Sequence, residues 1–137
     1  ITLSGTIILG LAGNEQEKST KHAKNTAILL NKINPPNSQK WYISALTLMT
    51  PPGTPIKEEV NKGNFTPITA QNALKELCLI IENISGDLNN CIFRSNHASN
   101  YLPIKGILSR DKKQILSNIE DMLASPKKLR SEFYRRL

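Results

Sequence analysis

Three short apolar segments along the chain predict buried β-strands. Residues 6–9 (Thr-Ile-Ile-Leu) show no polar alternation, which is typical of a strand in a parallel sheet that is covered on both faces. Residues 42–49 and 91–93 are also dominated by apolar and β-branched side chains. The pattern therefore predicts a sheet that contains these three segments.

Apolar residues that recur every three or four positions predict helices between and after the strands. Asn14 is expected to be the N-cap of the first helix, with Glu17 as its capping-box partner. After Pro126 we expect a last, basic helix that carries Leu129, Phe133 and Leu137 inward. The other expected helices cover residues 14–33, 56–62, 69–84 and 111–124. The order β-α-β-α-α-β-α-α implies parallel strands with right-handed crossovers.

The start of the sequence suggests a piece of a longer protein. It has no initiator Met and opens on an apolar, β-branched run, whereas a natural N-terminus usually begins with residues that can fray in water. Three strands are few for a parallel sheet, and this run would leave a long apolar edge exposed. We therefore expect a fragment of a larger α/β protein.

Composition and charge narrow the classes of function. The 137 residues are 39% hydrophobic, which suits one domain with a core, and no apolar run is long enough to span a membrane. The two cysteines cannot build a disulfide-rich secreted scaffold, so reduced thiols and a cytoplasmic location are expected. The net charge is +7, of which the residues from Lys105 onward carry +5 (nine basic, four acidic). A solvated helical face explains such a charge more simply than a binding surface does.

The loops after the three strands are the expected places for chemistry, because sites in α/β proteins lie at the carboxyl ends of strands. Residues 10–13 (Gly-Leu-Ala-Gly) and 49–55 are a glycine-rich turn and a proline-rich connector. Residues 94–103 gather Arg, His, Ser, Asn and Tyr side chains. Taken singly, each of these side chains is more often structural. As a cluster at a strand end, they favour a polar site.

Other common chemistries find no support in the sequence. Cys78 and Cys91 are expected in the core, and His22 lies on a different helix, so no metal site is assembled. There is neither a phosphate-binding loop of the Gly-Lys-Ser/Thr type nor a Gly-x-Ser-x-Gly nucleophile elbow.

Taken together, the three loops resemble motifs of the radical S-adenosylmethionine (radical SAM) superfamily. Residues 6–13 resemble the family's fifth-strand motif, in which an apolar strand ends in Gly-Leu-x-Gly. Residues 46–59, with Pro-Gly-Thr-Pro-Ile, look like the next strand and its loop. Residues 94–111 are similar to the C-terminal stretch of a subgroup described as iron–sulfur oxidoreductases.

The resemblance implies the C-terminal part of a partial TIM-type (β/α)6 barrel. Residues 1–110 would supply its last strands and helices, and residues 111–137 a helical extension. The family binds S-adenosylmethionine and a 4Fe–4S cluster, the latter through a Cys-x3-Cys-x2-Cys loop that this sequence lacks. The intact parent would cleave S-adenosylmethionine reductively, whereas this chain alone is expected to bind neither cofactor and to be inactive. Its expected partners are the N-terminal part of the barrel and an unidentified substrate.

The same resemblance implies roles for individual residues. The adenine-side wall of the cofactor site would be formed by Ile8, Gly10, Leu48 and Met49. The candidates for catalysis are His97 and Arg94, and those for substrate binding are Asn96, Ser99 and Asn100. No residue of this chain is expected to ligate a metal.

A different class of function stays open at this point. The chain could be a non-catalytic α/β binding module that uses its basic C-terminal helices to hold an acidic partner or nucleic acid. The cations concerned are Lys127, Lys128, Arg130, Arg135 and Arg136. Because no aromatic side chains are interleaved with these cations for base stacking, the sequence disfavours RNA.

Overall fold

Strands and helices alternate along the chain in the computed structural model, which describes residues 2–33, 35, 39–86, 88–126 and 129–136. The strands are β1 (Ser4–Leu9), β2 (Trp41–Thr47), β3 (Cys91–Arg94) and β4 (Lys105–Ile107). The α-helices are α1 (Gln16–Ile33), α2 (Pro55–Asn61), α3 (Ala70–Asn83) and α4 (Leu108–Ala124), and a short 3-10 helix covers Glu132–Tyr134. The α/β class predicted from the sequence is confirmed. None of the described helices is both long and apolar enough to cross a membrane.

The four described strands form one sheet in the order β1-β2-β3-β4. β1, β2 and β3 are parallel, as predicted, and β4 returns antiparallel to β3. The prediction of an entirely parallel sheet is therefore wrong at β4. With only three residues, Lys-Gly-Ile, this strand is too short to show a period-two pattern. The turn back is closed by the Ser95 amide, which donates to the Ile104 carbonyl at 2.7 Å.

All the long helices cover the same face of the sheet. Burial alternates strictly along β2, and its buried side chains share one core with residues of α1, α3 and α4. α3 lies between α1 and α4 and packs against both. The other face of the sheet, which we call the open face, is covered by no described element. The expectation that residues 6–9 are covered on both faces is therefore wrong: Ile7 packs on the core, whereas Ile8 lies half-buried on the open face.

The helix starts differ in how well the sequence predicts them. Thr69 caps α3 as its side chain accepts from the Asn72 amide, and Thr54 caps α2 in the same way. Asn14 does not cap α1, which begins at Gln16. Its Oδ1 instead accepts from the Thr69 amide at 3.1 Å and from Asn72 Nδ2 at 2.8 Å, so it ties the first loop to α3.

The C-terminal segment is not the helix predicted after Pro126. The described part contains only the 3-10 turn at Glu132–Tyr134, and Phe133 is 83% exposed rather than inward. Leu129 does pack against the core, and Leu137 lies outside the described residues. The residue that this segment buries is Arg135, which is only 7% exposed. Apart from Glu132, its partners are oxygens of distant segments, most of them main-chain carbonyls, so no amphipathic helical pattern is required.

Candidate functional site

The strand register arranges the open face in rows. The middle row is polar and crosses all four strands; we call it the polar row, and it consists of Thr6, Ser44, Arg94 and Lys105. The row towards the amino ends of the parallel strands contains Tyr42, Ile92 and Ile107. Towards the carboxyl ends, Ile8 and Leu46 are register partners and form an apolar patch. The open face thus offers a cationic band next to an apolar surface.

A cleft of about 450 Å³ lies where the polar row meets the carboxyl ends of β2 and β3. It is lined by Ser44, Leu46, Arg94, Asn96 and His97, together with the backbone of their neighbours. Three of the site residues predicted from the sequence, Arg94, Asn96 and His97, are therefore close together and exposed. A cleft at the carboxyl edge of parallel strands is the usual place for a ligand in an α/β fold.

Within the described part of the chain, Arg94 contacts an aromatic ring and pairs with no carboxylate. Its guanidinium carbon lies 5.6 Å from the centroid of the Tyr42 ring, within the range of a cation–π interaction. Such a contact uses none of the ordinary acceptors for the guanidinium N–H groups, so these donors stay available. Arg94 is therefore oriented without having its charge neutralised.

His97 is fixed in one tautomer by its own loop. The Ser99 amide donates to Nδ1 of His97 at 3.1 Å, and Oγ of Ser99 lies 3.0 Å from the same nitrogen. A backbone N–H can only donate, so Nδ1 carries the lone pair and the neutral ring carries its proton on Nε2. His97 is thereby prepared to donate a hydrogen bond from Nε2.

Ser99 and Asn100 lie on the inner side of the loop, away from solvent. Asn100 donates to the Ala45 carbonyl at 2.7 Å and accepts from the Thr47 hydroxyl at 2.9 Å. The Thr47 amide donates to Oγ of Ser99 at 3.4 Å. These bonds join the loop after β3 to the end of β2. The arrangement gives both residues a positioning role, and their contact with a substrate stays a prediction.

The C-terminal tail, residues 129–136, is hydrogen-bonded to the loop that carries His97. The carbonyls of residues 97–101 all accept hydrogen bonds from Arg130 or Arg135. The Arg130 guanidinium donates to three of them at 3.0–3.4 Å and its amide to the Tyr101 carbonyl, while Nε of Arg135 donates to the Ser99 carbonyl at 2.6 Å. The two arginines therefore set the backbone of the site loop, and with it the side-chain direction of His97.

Arg135 also connects the loop to β2 and to an acidic side chain. Nη2 donates to the Leu48 carbonyl at 2.9 Å, and Nη1 contacts Glu132 and the Tyr101 hydroxyl. Burial, reinforced by the Glu132 hydrogen bond, raises the pKa of Tyr101 well above its ordinary value. Partial burial acts to raise the pKa of Glu132, but hydrogen bonds from Arg135 and Tyr101 outweigh it and the pKa is lowered. The tail thus carries an ionised carboxylate against a buried arginine.

The contacts of Arg130 and Arg135 with the site loop and β2, which we call the clamp, bear on the binding-module interpretation, because that interpretation relies on C-terminal cations. Arg130 and Arg135 are engaged with oxygens of their own chain, whereas the Arg136 side chain is exposed. Lys127 and Lys128 lie outside the described residues. The number of tail cations available to an acidic partner is smaller than the sequence suggests.

The residues predicted for the cofactor wall all lie near the carboxyl ends of β1 and β2, but they make different contacts. Ile8 presents its side chain beside Leu46, and Met49 is half-buried just after β2. Gly10 adopts a φ of +81°, and a Cβ there would clash with the Ile68 side chain, so the local structure requires glycine without any ligand. The Leu48 amide donates to the Leu9 carbonyl, and its own carbonyl is taken by Arg135.

Behind the first loop lies a polar cluster that the sequence prediction missed. Glu76 of α3 is 1% exposed and accepts from the Gly10 amide at 3.0 Å, from His22 Nδ1 at 2.9 Å and from the Ser19 hydroxyl. The signal was present, because Glu76 lies among Ala73, Leu77 and Ile80 on the apolar face of its helix. A carboxylate there has to find donors in the core.

The residues of this chain do not fit a 4Fe–4S cluster. The described part holds no group of three or more His, Cys, Asp or Glu side chains that could bind a metal. Burial raises the pKa of Cys78 to about 11 and that of Cys91 to about 12, so both thiols are poor thiolate ligands. For an adenine ring, the Ile8–Leu46 patch fits. The Gly10 and Leu48 amides do not, since both already donate within the chain.

No protein-family model, curated protein or solved structure matches this chain.

Proposed function

We propose that this chain is the C-terminal part of a radical SAM iron–sulfur oxidoreductase and that its open face forms part of the inner wall of a partial (β/α)6 barrel. The observation that carries the proposal is the one-sided sheet: α1, α3 and α4 cover one face, and the open face ends in the cleft of Arg94 and His97. The choice of the radical SAM family rests on the sequence motifs at the ends of β1, β2 and β3.

The topology supports a barrel wall over an open, doubly wound sheet. In a doubly wound sheet the helices cover both faces, whereas in a barrel they lie outside and the strands add in one direction. Here β1, β2 and β3 follow one another in sequence and in space, and their helices lie on one side. The antiparallel β4 departs from this pattern and would end the parallel wall.

The outer edge of β1 supports the proposal that further strands and helices of the barrel pack on this side. The outer side of β1 pairs with no described strand. On the neighbouring helix, Ile28 and Leu29 are 53% and 57% exposed. Parallel strands gain stability when both edges and their helices are covered, so we assign this side to the remaining part of the barrel. A cytoplasmic location, where buried and half-buried thiols stay reduced, belongs to the same proposal.

The roles of this chain's residues follow from their places on the open face. Ile8 and Leu46 would pack against adenine, while the cluster would be held by the remaining part of the barrel. When bound, the cofactor pair supplies reductive cleavage of S-adenosylmethionine and so starts radical chemistry. Arg94, Asn96 and His97 would orient the substrate, since their donors face the cleft and the tail fixes their loop.

The reading frame that contains this chain, and its full-length product, test the proposal. We expect a Cys-x3-Cys-x2-Cys motif upstream, and 5′-deoxyadenosine release by the anaerobically reduced protein. Ile8→Ala should raise the KM for S-adenosylmethionine, whereas Ile107→Ala, at the far row of the same face, should not. His97→Ala should abolish turnover and leave the cluster absorbance intact. A reading frame without the cysteine motif, or turnover that survives His97→Ala unchanged, would refute the respective part of the proposal.

A further inference from the structure

We propose that the polar row binds an anionic group, a carboxylate or a phosphate, through Arg94 and Lys105, with His97 and Asn96 as additional donors. Calling this anion a part of the substrate rests on the function proposed above. The binding of an anion to this face does not rest on it and can be tested on the chain itself.

The first argument is the juxtaposition of two like charges. Arg94 and Lys105 are directly opposite in the antiparallel pair of β3 and β4, so their side chains share the open face. The position of Gly106 confirms this direction, because a Cβ there would meet Ile115 and Asp111 of α4 on the covered side. Like charges in opposed positions destabilise a sheet. A ligand with a negative charge would turn this repulsion into attraction.

The second argument is that neither cation is neutralised by a residue that the structure describes. Among the residues that the structure describes, Arg94 and Lys105 form no salt bridge. Two other arginines of the described chain are paired with carboxylates: Arg110 binds Asp111, and Arg135 binds Glu132 as well as main-chain carbonyls. Arg94 has an aromatic ring instead, which orients the guanidinium and preserves its charge.

The third argument is that uncharged donors lie beside Arg94. His97 is exposed and lines the cleft together with Arg94, Asn96 and Ser44, and the ring nitrogen that its own loop leaves unused is Nε2. An arginine edge with neutral N–H and O–H donors around it suits a planar carboxylate or a tetrahedral phosphate. The loop that positions His97 is held by the tail, so these donors are ordered before a ligand arrives.

The test is a titration of the full 137-residue chain with inorganic phosphate and, separately, with acetate, at constant ionic strength and pH 7. Binding is followed by NMR through the Nε–H group of Arg94 and the amides of residues 96–98. We expect saturable shifts in this region. Arg94→Gln should raise the Kd about tenfold, as expected for the loss of one charge-assisted hydrogen bond, and Lys105→Gln should also weaken binding.

Matched variants separate a site from general attraction to a basic protein. Lys113→Gln removes one exposed charge from α4, on the covered side of the sheet, and should leave the Kd unchanged. Equal weakening by Lys113→Gln and Arg94→Gln, or the absence of saturable shifts at residues 94–98, would overturn the inference. Tighter binding of phosphate than of acetate would assign the site to phosphorylated ligands, and the reverse order to carboxylates.

The outcome is independent of the cofactor proposal. Anion binding by the chain together with a reading frame that lacks the cysteine motif would keep the anion site and refute the radical SAM function. A full-length protein that cleaves S-adenosylmethionine, but whose Arg94→Gln variant binds phosphate and acetate as the parent does, would do the opposite.

Discussion

Two polar clusters lie at the carboxyl ends of the strands, and they differ in where their partners come from. The cluster around Glu76 is closed: three donors of the same chain satisfy a carboxylate that is 1% exposed. The cluster around Arg94 is open: Arg94 lines a cleft, and neither it nor Lys105 has an anionic partner among the described residues. A closed cluster stabilises the folded chain. An open cluster has charges that only a ligand can pair, so its favourable electrostatic interaction is made on binding.

The largest loss of stability is expected when the closed cluster is disrupted. Glu76→Ala should lower the free energy of unfolding by about 3 kcal/mol, because the Gly10 amide and the Ser19 and His22 side chains then lose their buried acceptor. Urea unfolding at pH 7 measures it. Glu120→Ala, at an exposed position of α4, is the control and should change stability by no more than about 0.5 kcal/mol. A similar small change for Glu76→Ala would show that water replaces the carboxylate and that this cluster is not closed.

An intermediate effect concerns the clamp, which connects the open cluster to the tail. The pKa of Glu132 is lowered from 4.5 in the folded protein, so its stabilising contribution is complete above that value and is lost as the pH falls through the folded-state pKa. The stability advantage of the parent over Glu132→Gln should therefore be constant at neutral pH and shrink below pH 4.5. Chemical unfolding of both proteins across this range measures the difference.

Asp111 also has a lowered pKa, but it does not affect the comparison between the parent and Glu132→Gln. Hydrogen bonds from Arg110 and from the Ile107 amide lower its pKa from 3.8 to about 2, and both proteins retain it, so its contribution cancels in the comparison.

Amide exchange at residues 97–101 should rise in Glu132→Gln already at neutral pH. If exchange there is unchanged while stability falls, Glu132 would stabilise the tail without acting on the site loop.

The contrast between the clusters also explains what the sequence can and cannot predict. The strands at Ser4–Leu9 and Trp41–Thr47 follow from short apolar runs, and the helix at Ala70–Asn83 follows from the spacing of its apolar residues. Both signals are local and need no knowledge of the partners. Glu76 was visible as a charge on an apolar helix face. Arg135 was not, because its partners apart from Glu132 lie more than thirty residues away and are mostly main-chain carbonyls, which every residue type provides.

Within the site loop, the sequence predicts the cluster but not its division into two sides. Asn96 and His97 line the cleft, whereas Ser99 and Asn100 turn inward to Thr47 and Ala45. The turn in which the Asn100 amide donates to the His97 carbonyl at 3.1 Å decides which side each residue takes. Ser and Asn suit both an exposed ligand site and a buried turn, so composition alone cannot separate the two uses.

The smallest change in stability is expected for Lys105→Gln, and its sign should be opposite to that of Glu76→Ala. Lys105→Gln should raise the free energy of unfolding by about 0.5 kcal/mol, since it removes the repulsion from Arg94 across the strand pair. Added salt screens exposed charges, so the gain should diminish in concentrated sodium chloride. Lys113→Gln is again the control and should lack this salt-dependent gain. Destabilisation by Lys105→Gln would mean that Lys105 has a stabilising partner, and the cluster around Arg94 would then be closed like the one around Glu76. Stabilisation combined with weaker anion binding would show that this row of the sheet is maintained for a ligand at the expense of the fold.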